Sequence, residues 1–560
     1  MAIDNSFIAD QLSLLSSLMD IHGENSFAAK SLSIAAFTIE KWPEQMEDIP
    51  TSKLTLVKGI GTSVAKKIAE LVETGEIEEL NDLTSKTPTG VFEMLNIKGV
   101  GPKKIHAIWK EMKIETVEEL LSVCKENKLS VYKGFGEKTQ KNIVEGIETY
   151  MNRQSAYLFA QIESYALAMN EKLQLEFKKY LIRQTGDFRR HLLTIDKLEW
   201  VTTASLKELQ MFFKKNDFEE VEAGEDMAVF KTHIQNIALH FYITGEGKFY
   251  QKLFETSGSY EFINAWQNKY PFTKPGYGSE EEIFKKAGTA VIEPYLREKE
   301  YIIEVAEKNK LPNVIGVKDI KAIIHCHSVW SDGSNSIEQL AKAAIQRGHQ
   351  YLVISDHSKT AFYAGGLNEE RVLAQQEEVD KLNEKLKPFK IFKSIESDIL
   401  NDGSLDYSPN ILSTFDIVIA SPHSSLKMEA EKAMPRLIRA IENPYTTIMG
   451  HITGRLLLSR KGLSVDHKKL IDACAANNVV IELNANPRRL DIDWRFIDYC
   501  LEKNVLISID PDAHSIPEFD YVKYGVFAAQ KAGVTKKDNV SSFSLKEFEK
   551  FITIQKCKIH

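Results

Sequence analysis

The sequence predicts a multidomain protein of mixed α+β and α/β class, with helical N-terminal domains and a C-terminal seven-stranded β/α barrel. Its 560 residues exceed what one hydrophobic core usually organises, so we expect roughly three or four domains. A glycine-containing pattern occurs three times within the first 150 residues. From about residue 318 onward, seven short β-rich runs alternate with helical sequence, which is typical of a parallel sheet.

The composition excludes several classes of protein. The apolar fraction of 43% supports globular cores, but the apolar runs are shorter than the ~18 residues that span a membrane. The acidic start is unlike an export signal, and the five cysteines lack CxxC spacing, which argues against disulfides and zinc ribbons. A net charge of −8 still permits local basic patches. We therefore expect a cytoplasmic monomer with no membrane partner.

Three N-terminal segments, at 56–71, 95–109 and 131–147, share Lys-Gly-apolar-Gly followed by a polar, lysine-containing helix start. They resemble helix-hairpin-helix motifs, in which glycines allow close backbone approach and helix N-terminal amides meet a DNA phosphate. One such turn is a weak signal, but three copies favour DNA binding that does not depend on base sequence. Lys110 extends the acid-free basic stretch of the second copy. The predicted DNA contacts are Lys58, Gly59, Gly61, Lys98, Gly99, Gly101, Lys103, Lys104, Gly134 and Gly136.

Between the repeats and the barrel, residues 151–306 mix helical patterns with strand candidates such as WVTTA and IALHFYI. The polar stretch EKNKLPNVIGVKD, at 307–319, is typical of a linker. We therefore predict domains at 1–90, 91–150, 151–306 and 318–560.

Polar residues stand at the carboxyl ends of six of the seven C-terminal β-rich runs. In a β/α barrel these ends share one face, so residues distant in sequence converge there. A single histidine after a strand is usually an ordinary loop residue, and His349, His467 and His560 are interpreted in that way. Nine ligand-type residues at one face, including an HxH pair whose side chains point the same way, instead predict a metal site. They are His325, His327, Asp332, His357, Glu396, His423, His451, Asp512 and His514.

The charge of this set indicates an anionic substrate. Three divalent ions would add +6, and Asp332, Glu396 and Asp512 would return −3 if the histidines are neutral. The positive remainder suits a phosphate group. Clustered metals can bridge a phosphate and lower the pKa of a bound water toward ~7. The sequence therefore predicts a phosphoesterase that uses Mn²⁺, Zn²⁺ or Fe²⁺, because mixed imidazole and carboxylate ligation suits all three ions.

The C-terminal region resembles the polymerase-and-histidinol-phosphatase (PHP) domain in its motifs HCHSVWSDG, ISDHS, SIESD, SPHS, GHITGR, ELNANPRRLD and PDAHS. The resemblance implies a seven-stranded barrel with three metal ions. It assigns one ion to His325, His327, Glu396 and Asp512, a second to Glu396, His423 and His451, and a third to Asp332, His357 and His514.

All nine ligand positions of the resemblance are filled, so we expect an active enzyme. The residues that we expect to act in catalysis are Glu396, Asp512 and His514. Asp356 is interpreted as a residue that orients a ligand. The candidate phosphate contacts are Lys359, Arg455 and Arg488, each of which is equally compatible with an ordinary surface cation.

The whole chain resembles bacterial family X DNA polymerases, which join a polymerase-beta-like core to a PHP exonuclease. The resemblance implies a lyase-like domain at 1–90, a fingers-like domain at 91–150 and a palm and thumb at 151–306. Lys67 matches the Schiff-base lysine of the family's deoxyribose-phosphate lyase, although a solvated helix lysine explains it equally well. The neighbouring KSLSIA, at 30–35, lacks the aromatic residue and the arginine usual there.

The predicted palm departs from the family in its metal-binding carboxylates. The segment TGDFRRHLLTIDKLEWV keeps Gly186, Arg189 and Arg190, but Asp187 replaces a serine. The positions of the three catalytic aspartates hold Lys197, Glu199 and Ala238. Two-metal nucleotidyl transfer needs clustered carboxylates, which this set does not supply. Because the nucleotide loop FETSGSYEF (254–262) is altered as well, we predict a palm that folds but does not polymerise.

The leading hypothesis is a nucleoid-associated DNA-repair nuclease that removes nucleotides or blocked groups from 3′ ends and gaps, with abasic-site incision as an open addition. A second hypothesis keeps gap-filling polymerisation through Asp187 or Asp196, with the barrel as a proofreading site. A third, a histidinol-phosphatase-like enzyme for small molecules, would leave the three repeats without a purpose. A non-catalytic DNA-binding scaffold is disfavoured because the ligand set is complete.

Overall fold

The computed structural model describes residues 5–40, 42, 45–57, 59–232, 237–272 and 276–558. The chain forms two compact units, Met1–Gln154 and Ser155–His560, and each has its own architecture. Within the described ranges, no helix is both long and apolar enough to cross a bilayer.

The first unit is helical, and its apolar core is continuous from Ile8 to Ile147. Amphipathic spacing explains the burial, because Leu12, Leu15 and Leu18 share one face of the first helix and are fully buried. This core crosses the boundary predicted near residue 90, so the separate domains at 1–90 and 91–150 stay a prediction. The helices are α1 (Asn5–His22), α2 (Ser26–Glu40), α3 (Thr51–Leu54), α4 (Thr62–Thr74), α5 (Glu78–Ser85), α6 (Thr89–Leu95), α7 (Pro102–His106), α8 (Val117–Lys125) and α9 (Glu137–Ser155).

The three repeats adopt the same backbone turn, which explains their glycines. The first glycine of each repeat has a positive φ, a region that residues with a Cβ rarely adopt: 97° at Gly59, 93° at Gly99 and 94° at Gly134. The second glycine directly precedes α4, α7 or α9, and a Cβ would meet nothing within 4 Å at Gly61, Gly101 and Gly136. Each turn therefore presents bare backbone at the start of a helix.

The second unit begins with a five-stranded mixed sheet of order β2–β4–β7–β6–β5. Strand β4 runs parallel to β7, and the other neighbours are antiparallel. The strands are β2 (Ile182–Thr185), β4 (Lys197–Thr202), β5 (Phe218–Ala223), β6 (Met227–Thr232) and β7 (Ala238–Ile243), with β1 (Tyr157–Leu158) and β3 (Thr194–Ile195) pairing separately. The helices of this region are α10 (Phe159–Glu176), α11 (Gly186–Arg189), α12 (Leu206–Lys215), α13 (Phe249–Thr256), α14 (Tyr260–Lys269), α15 (Glu280–Ala287) and α16 (Tyr301–Glu307).

Seven parallel strands then form the predicted barrel, which is confirmed. The strands stand side by side in chain order, β8 to β14. A parallel bridge joins Cys326 to Ala513, so the last strand returns to the first and the barrel is nearly closed. The strands are β8 (Ala322–Cys326), β9 (Tyr351–Ile354), β10 (Lys390–Asp398), β11 (Ile417–Ser421), β12 (Ile448–Met449), β13 (Val480–Asn484) and β14 (Ile507–Asp510). The helices are α17 (Ile337–Gln346), α18 (Glu369–Lys385), α19 (Pro409–Leu412), α20 (Ala430–Ile441), α21 (His467–Ala476), α22 (Ile497–Glu502), α23 (Val522–Lys531) and α24 (Leu545–Lys556).

The barrel interior is apolar at one end and polar at the other. Phe392 and Glu396 lie four residues apart on β10, so their side chains leave the same face of the strand. Phe392 packs against Phe548 of α24, with ring centroids 4.9 Å apart, and this helix covers the amino-terminal end. Glu396 therefore lies toward the carboxyl-terminal end, where the polar residues gather.

The segment predicted as a linker packs against the barrel and is not a free tether. The amide of buried Ile315 donates to the Val534 carbonyl at 2.8 Å, and Gln530 donates to the Ile315 carbonyl at 2.9 Å. Because residues 155–560 form one compact unit, the division into domains at 151–306 and 318–560 stays a prediction.

Candidate metal centre

The nine predicted ligands converge at the carboxyl end of the barrel, around the buried carboxylate of Glu396. Parallel strands bring them together because all nine lie at or shortly after the carboxyl ends of six neighbouring strands, β8 to β12 and β14. Five histidine rings approach this one carboxylate: its Oε1 lies 3.3 Å from His325 Nε2, 3.1 Å from His423 Nε2 and 2.9 Å from His451 Nε2, and its Oε2 lies 2.9 Å from His357 Nδ1 and 3.7 Å from His327 Nε2.

Two further carboxylates complete the cluster. Asp512 Oδ1 lies 3.2 Å from His327 Nε2 and 3.5 Å from His325 Nε2. Asp332 Oδ1, on the loop after β8, lies 3.9 Å from His327 Nδ1, 3.6 Å from His357 Nε2 and 3.5 Å from His514 Nε2. Imidazole nitrogens and carboxylate oxygens are therefore mixed throughout.

Three overlapping groups of these atoms are compact enough to surround one ion each, with all ligand atoms of a group within 4.8 Å of one another. They are His327, Asp332, His357 and His514; His325, His327 and Asp512; and His357, Glu396 and His423. Each overlaps one of the three sets implied by the PHP resemblance. There are three differences: His327 joins the first group, Glu396 is missing from the second, and His357 replaces His451 in the third. The assignment of ligands to individual ions therefore stays a prediction.

The cluster fits metal ions because several of its buried nitrogen and oxygen atoms lack a hydrogen-bond partner. Among the described residues, His325 Nε2, His327 Nδ1, His357 Nδ1 and Glu396 Oε2 are fully buried and accept or donate no hydrogen bond. His357 Nδ1 lies close to Glu396, yet the two atoms do not meet in hydrogen-bond geometry. Unpaired polar atoms in a dry interior cost free energy, and a cation among them would satisfy their lone pairs.

A second layer of polar residues orients the histidines, and the sequence prediction missed it. Glu482, in the middle of β13, has a carboxylate oxygen 2.6 Å from His325 Nδ1, and Asp398 hydrogen-bonds His423 Nδ1. Asn484 donates to Glu482 at 2.7 Å and to Asp512 at 3.1 Å. Such partners set which ring nitrogen faces a metal. The signal was present, since Glu482 lies in the sixth β-rich run, VVIELNAN, and Asp398 follows Glu396 by two residues.

The electrostatics divide the cluster into charged and neutral members. Burial opposes ionisation of Glu396, but the neighbouring His423 and His325 hold its pKa well below the ordinary value. Burial also opposes protonation of His423, yet Glu396 and Asp398 raise its pKa to about 10. Burial, together with His357 and His514, lowers the pKa of His327 to about 3, so this ring is neutral and free to donate a lone pair.

The candidate phosphate contacts lie in different surroundings. Lys359 pairs with Glu369 at 2.8 Å, and Arg488 is exposed. The Arg455 guanidinium is held by Asp493 at 2.6 Å and by backbone carbonyls. The guanidinium that reaches the cluster belongs to Arg489, whose Nε lies 3.3 Å from Asp512 Oδ2. The sequence offered two adjacent arginines, and no local pattern distinguished them.

Asp356 is fully buried and supports the loop after β8. It accepts hydrogen bonds from the Ser328 amide at 2.8 Å, from Ser331 Oγ at 2.5 Å and from Gln375 Nε2 at 2.5 Å. Because Ser331 precedes Asp332, these bonds fix the loop that carries a candidate ligand. These hydrogen bonds let Asp356 position the loop that carries Asp332, and none of them goes to a histidine ring.

In the first unit, the predicted DNA and lyase residues are placed as follows. Lys98 and Lys103 are exposed beside the second turn, whereas Lys104 Nζ donates to the Gly99 carbonyl at 2.9 Å. Lys67 forms an ion pair with Glu79 and is mostly buried. Lys58 lies outside the described residues, and so does His560.

In the five-stranded sheet, the positions of the three catalytic aspartates of the family hold one carboxylate, Glu199, and this carboxylate already has partners. Lys197 pairs across the strands with Ala238, and its Nζ lies 2.8 Å from Glu199 Oε1. Tyr242 donates its hydroxyl to the same Glu199 oxygen at 2.7 Å. Gly186 is needed beside it, because a Cβ there would lie 1.8 Å from Glu199 Oε2.

The two arginines that match the family pattern, Arg189 and Arg190, are also paired. Arg189 lies 2.5 Å from Glu280, and Arg190 lies 2.8 Å from Glu298. The Glu298 carboxylate also lies 2.6 Å from Lys531 of α23, so this ion cluster joins the sheet region to the barrel.

Known proteins are similar to this chain both in its N-terminal helical region and over nearly its whole length. The model of a helix-hairpin-helix domain matches residues 3–77, and that of a SAM-like helix-hairpin-helix tandem matches residues 91–149. The chain is 30% identical over 555 residues to the DNA polymerase/3′-5′ exonuclease PolX of Bacillus subtilis (strain 168), covering 95% of this chain and 96% of that protein.

Shorter similarities connect the chain to phosphatases. It is 26% identical over 252 residues to a probable phosphatase of Thermoanaerobacter sp. (strain X514), covering 42% of this chain and 95% of that protein. It is 28% identical over 171 residues to a probable phosphatase of Caldanaerobacter subterraneus, covering 29% of this chain and 60% of that protein. Because the likeness to PolX extends over nearly the full length of both proteins, this chain belongs to the bacterial family X DNA polymerases that carry a C-terminal PHP domain.

Proposed function

We propose that this protein is a metal-dependent 3′–5′ exonuclease that trims DNA 3′ ends in repair, with the barrel as its hydrolytic site. The observation that carries the proposal is the cluster around Glu396, in which several buried imidazole and carboxylate atoms converge and some of them have no hydrogen-bond partner. A cytoplasmic, nucleoid-associated location and action as a monomer belong to the same proposal.

The residues of the cluster support hydrolysis of a phosphodiester. They would hold up to three divalent ions, Mn²⁺, Zn²⁺ or Fe²⁺, which when bound attract a phosphate and activate water. Glu482 and Asp398 orient the His325 and His423 rings, so that each presents Nε2 toward Glu396. Arg489, beside Asp512, is the cation best placed to meet a phosphate oxygen.

The first unit supports DNA as the substrate. Its three turns expose backbone at helix N-termini. Backbone amides at such positions bind DNA phosphates whatever the base sequence. The similar protein of Bacillus subtilis is named a 3′-5′ exonuclease, which agrees with a role at strand ends.

The palm-like sheet supports the proposal that polymerisation is lost. Nucleotidyl transfer by two metals needs several free carboxylates at one place. Here the Glu199 carboxylate forms an ion pair with Lys197 and accepts a hydrogen bond from Tyr242. The Ala238 side chain has no atom that could bind a metal. Gap-filling polymerisation through Asp187 or Asp196 remains a second candidate, because the similar Bacillus subtilis protein is also named a DNA polymerase.

The test is to incubate 3′-labelled single-stranded and gapped DNA with Mn²⁺, using the full chain and a His325→Ala/His327→Ala variant. We expect the wild type to release mononucleotides and the variant to release almost none. A His349→Ala variant is the matched control, since His349 lies before β9, at the opposite end of the barrel. Equal release by wild type and double variant would show that the barrel is not the nuclease.

Two further assays separate the alternatives. Primer extension on gapped DNA with Mg²⁺ or Mn²⁺ tests the palm, and robust extension would overturn the interpretation of Lys197 and Ala238. Turnover of histidinol phosphate tests a small-molecule phosphatase of the kind suggested by the similarity to probable phosphatases. Faster hydrolysis of that compound than of DNA would displace the exonuclease proposal.

A further inference from the structure

Two neighbouring aromatic side chains are exposed on the loop that follows β9. Phe362 is 84% exposed and Tyr363 is 67% exposed, and both belong to the short turn Phe362–Ala364. Their ring centroids lie 6.0 Å apart, with an angle of 77° between the planes. Large aromatic rings are normally buried, so an exposed pair on one turn indicates a surface that meets something else.

The loop is held rigidly, so the exposure is not the result of a loose segment. On either side of the rings, Ala361 and Ala364 are buried. The Leu367 amide donates to the His357 carbonyl at 2.9 Å, and the Tyr407 hydroxyl donates to the Leu367 carbonyl at 2.5 Å. A buried frame therefore projects two exposed rings.

The same loop is tied to two of the candidate metal ligands. It begins at His357, and Ser358 donates its amide to the Glu396 carbonyl at 3.0 Å. At its far side, a Cβ on Gly365 would lie 3.3 Å from the carbonyl of Ser331, the residue before Asp332. The loop that carries the rings thus lies between the strand end that carries His357 and the loop that carries Asp332.

Electrostatics agree with this placement. Partial burial, followed by the charges of Asp398, Glu396 and Asp332, raises the pKa of Tyr363 to about 12. The phenol is therefore within electrostatic reach of the carboxylates of the cluster and stays neutral at physiological pH.

We propose that Phe362 and Tyr363 form a stacking platform for the unpaired base of the terminal nucleotide whose phosphodiester lies at the metal centre. This inference rests on the proposed function. A base has a flat apolar face whatever its identity, and aromatic side chains bind such faces without sequence preference. The adjacent cluster binds the phosphate of the same nucleotide, so one ligand satisfies both the charged and the apolar surface. The platform would make the enzyme prefer frayed or single-stranded 3′ ends.

The kinetic test compares two single-stranded oligonucleotides that differ only at the 3′ terminus, one with a purine and one with a tetrahydrofuran abasic residue. For the full chain with Mn²⁺, we expect kcat/KM to be about tenfold higher for the purine terminus. Phe362→Ala/Tyr363→Ala should lose this advantage, with a drop of about tenfold on the purine terminus and less than about twofold on the abasic one. Equal losses on both substrates, or no loss on either, would overturn the platform.

Conservative and control variants exclude a merely structural effect. Phe362→Tyr and Tyr363→Phe keep both rings and should stay within about twofold of wild type on either substrate. Ile554→Ala removes an exposed apolar side chain from α24, at the covered end of the barrel, and should change neither rate. Loss of the purine preference in Ile554→Ala would contradict a local platform.

A binding measurement separates this proposal from the proposed function. An oligonucleotide with 2-aminopurine at its 3′ end and a phosphorothioate at the last linkage reports stacking through quenched fluorescence while cleavage is slow. We expect quenching by wild type, weaker quenching by the Ala/Ala variant, and little change when the reporter stands at the 5′ end. Unchanged 3′ quenching in the Ala/Ala variant refutes the platform, whereas quenching without any metal-dependent cleavage refutes the nuclease alone.

Discussion

The carboxyl end of the barrel and the region of the five-stranded sheet both contain buried carboxylates, but the partners of those carboxylates differ. In the barrel, Glu396 is surrounded by histidine rings, several of which have a buried ring nitrogen without a hydrogen-bond partner. In the sheet region, Glu199 faces Lys197 and Glu298 faces both Arg190 and Lys531. An imidazole can give up a proton and bind a metal ion beside a carboxylate, whereas a lysine or arginine keeps its charge, neutralises the carboxylate and offers no ligand atom.

The contrast teaches that the number of acidic residues does not by itself identify a metal site. The sheet region has acids enough, yet each of the three discussed here carries a cation at 2.5–2.8 Å. Only the type of the neighbouring base separates a catalytic cluster from a structural ion pair. Four predictions test this difference, from the largest expected effect to the smallest.

The first prediction concerns loss of one carboxylate in each region. Glu396→Gln should lower 3′-nucleotide release by more than about a thousandfold, because Glu396 contacts five histidines at the centre of the cluster. Residues that only hydrogen-bond a metal ligand usually cost about ten- to a hundredfold when mutated, and a central carboxylate should cost more. Initial rates on labelled DNA measure the effect. Glu199→Gln is the matched control and should stay within about twofold of wild type; a comparable loss there would erase the proposed contrast.

The second prediction concerns stability at the junction of sheet and barrel. Glu298→Gln should lower the free energy of unfolding by about 3 kcal/mol or more, because it leaves the buried Lys531 ammonium without its carboxylate. Lys531→Met should cost much less, since Glu298 still pairs with Arg190. Denaturant unfolding of both variants gives the comparison, and equal destabilisation would mean that the ion cluster is not what holds this junction.

The third prediction concerns the orientation of a ligand. Asp398→Asn should weaken Mn²⁺ binding by about ten- to a hundredfold, because Asp398 fixes the His423 ring through Nδ1. Competition with a fluorescent chelator measures the affinity directly, without reference to activity. Asp402→Asn, in the exposed turn after β10, is the control and should leave the affinity unchanged. A loss in both variants would indicate a general charge effect.

The fourth prediction concerns pH. Burial lowers the pKa of Lys531 to about 8 from its ordinary 10.5, so above pH 8 the native state gives up this proton while the unfolded state keeps it. The unfolded state then binds more protons, and the stability contributed by this group rises with pH by about 1 kcal/mol between pH 8 and pH 9. The free energy of unfolding of wild type minus that of Lys531→Met isolates the group. If this difference in free energy of unfolding fell between pH 8 and pH 9, the pKa of Lys531 would not be lowered as described.

Much of the architecture was predictable because it depends on short, periodic patterns. Apolar runs such as AIIHC and YLVIS become fully buried parallel strands, and their spacing fixes the barrel once each strand is followed by a helix. The glycine repeats likewise fold into three equivalent turns, since each needs a positive φ at the same position. The interpretation of 307–319 as a linker failed in one respect, because polarity does not reveal that Ile315 is buried.

The candidate site was predictable in its main members for the same reason, and not in its supporting ones. The sequence analysis did not select Glu482, because a single acid within a β-rich run carries no sign of its role. Its partner, His325, lies 157 residues earlier in the chain. Arg489 and Arg488 are adjacent in the chain, but only Arg489 turns toward Asp512.

The sequence by itself determined the glycine turns, the seven strands and the arrival of histidines and acids at one end of the barrel, because local spacing encodes strand ends and parallel topology aligns them. Only the tertiary structure decided which base meets which acid: Glu482 with His325, Asp398 with His423, and Lys531 with Glu298, 233 residues away. Such pairings depend on the register and packing of whole elements, and no local pattern in the chain records them.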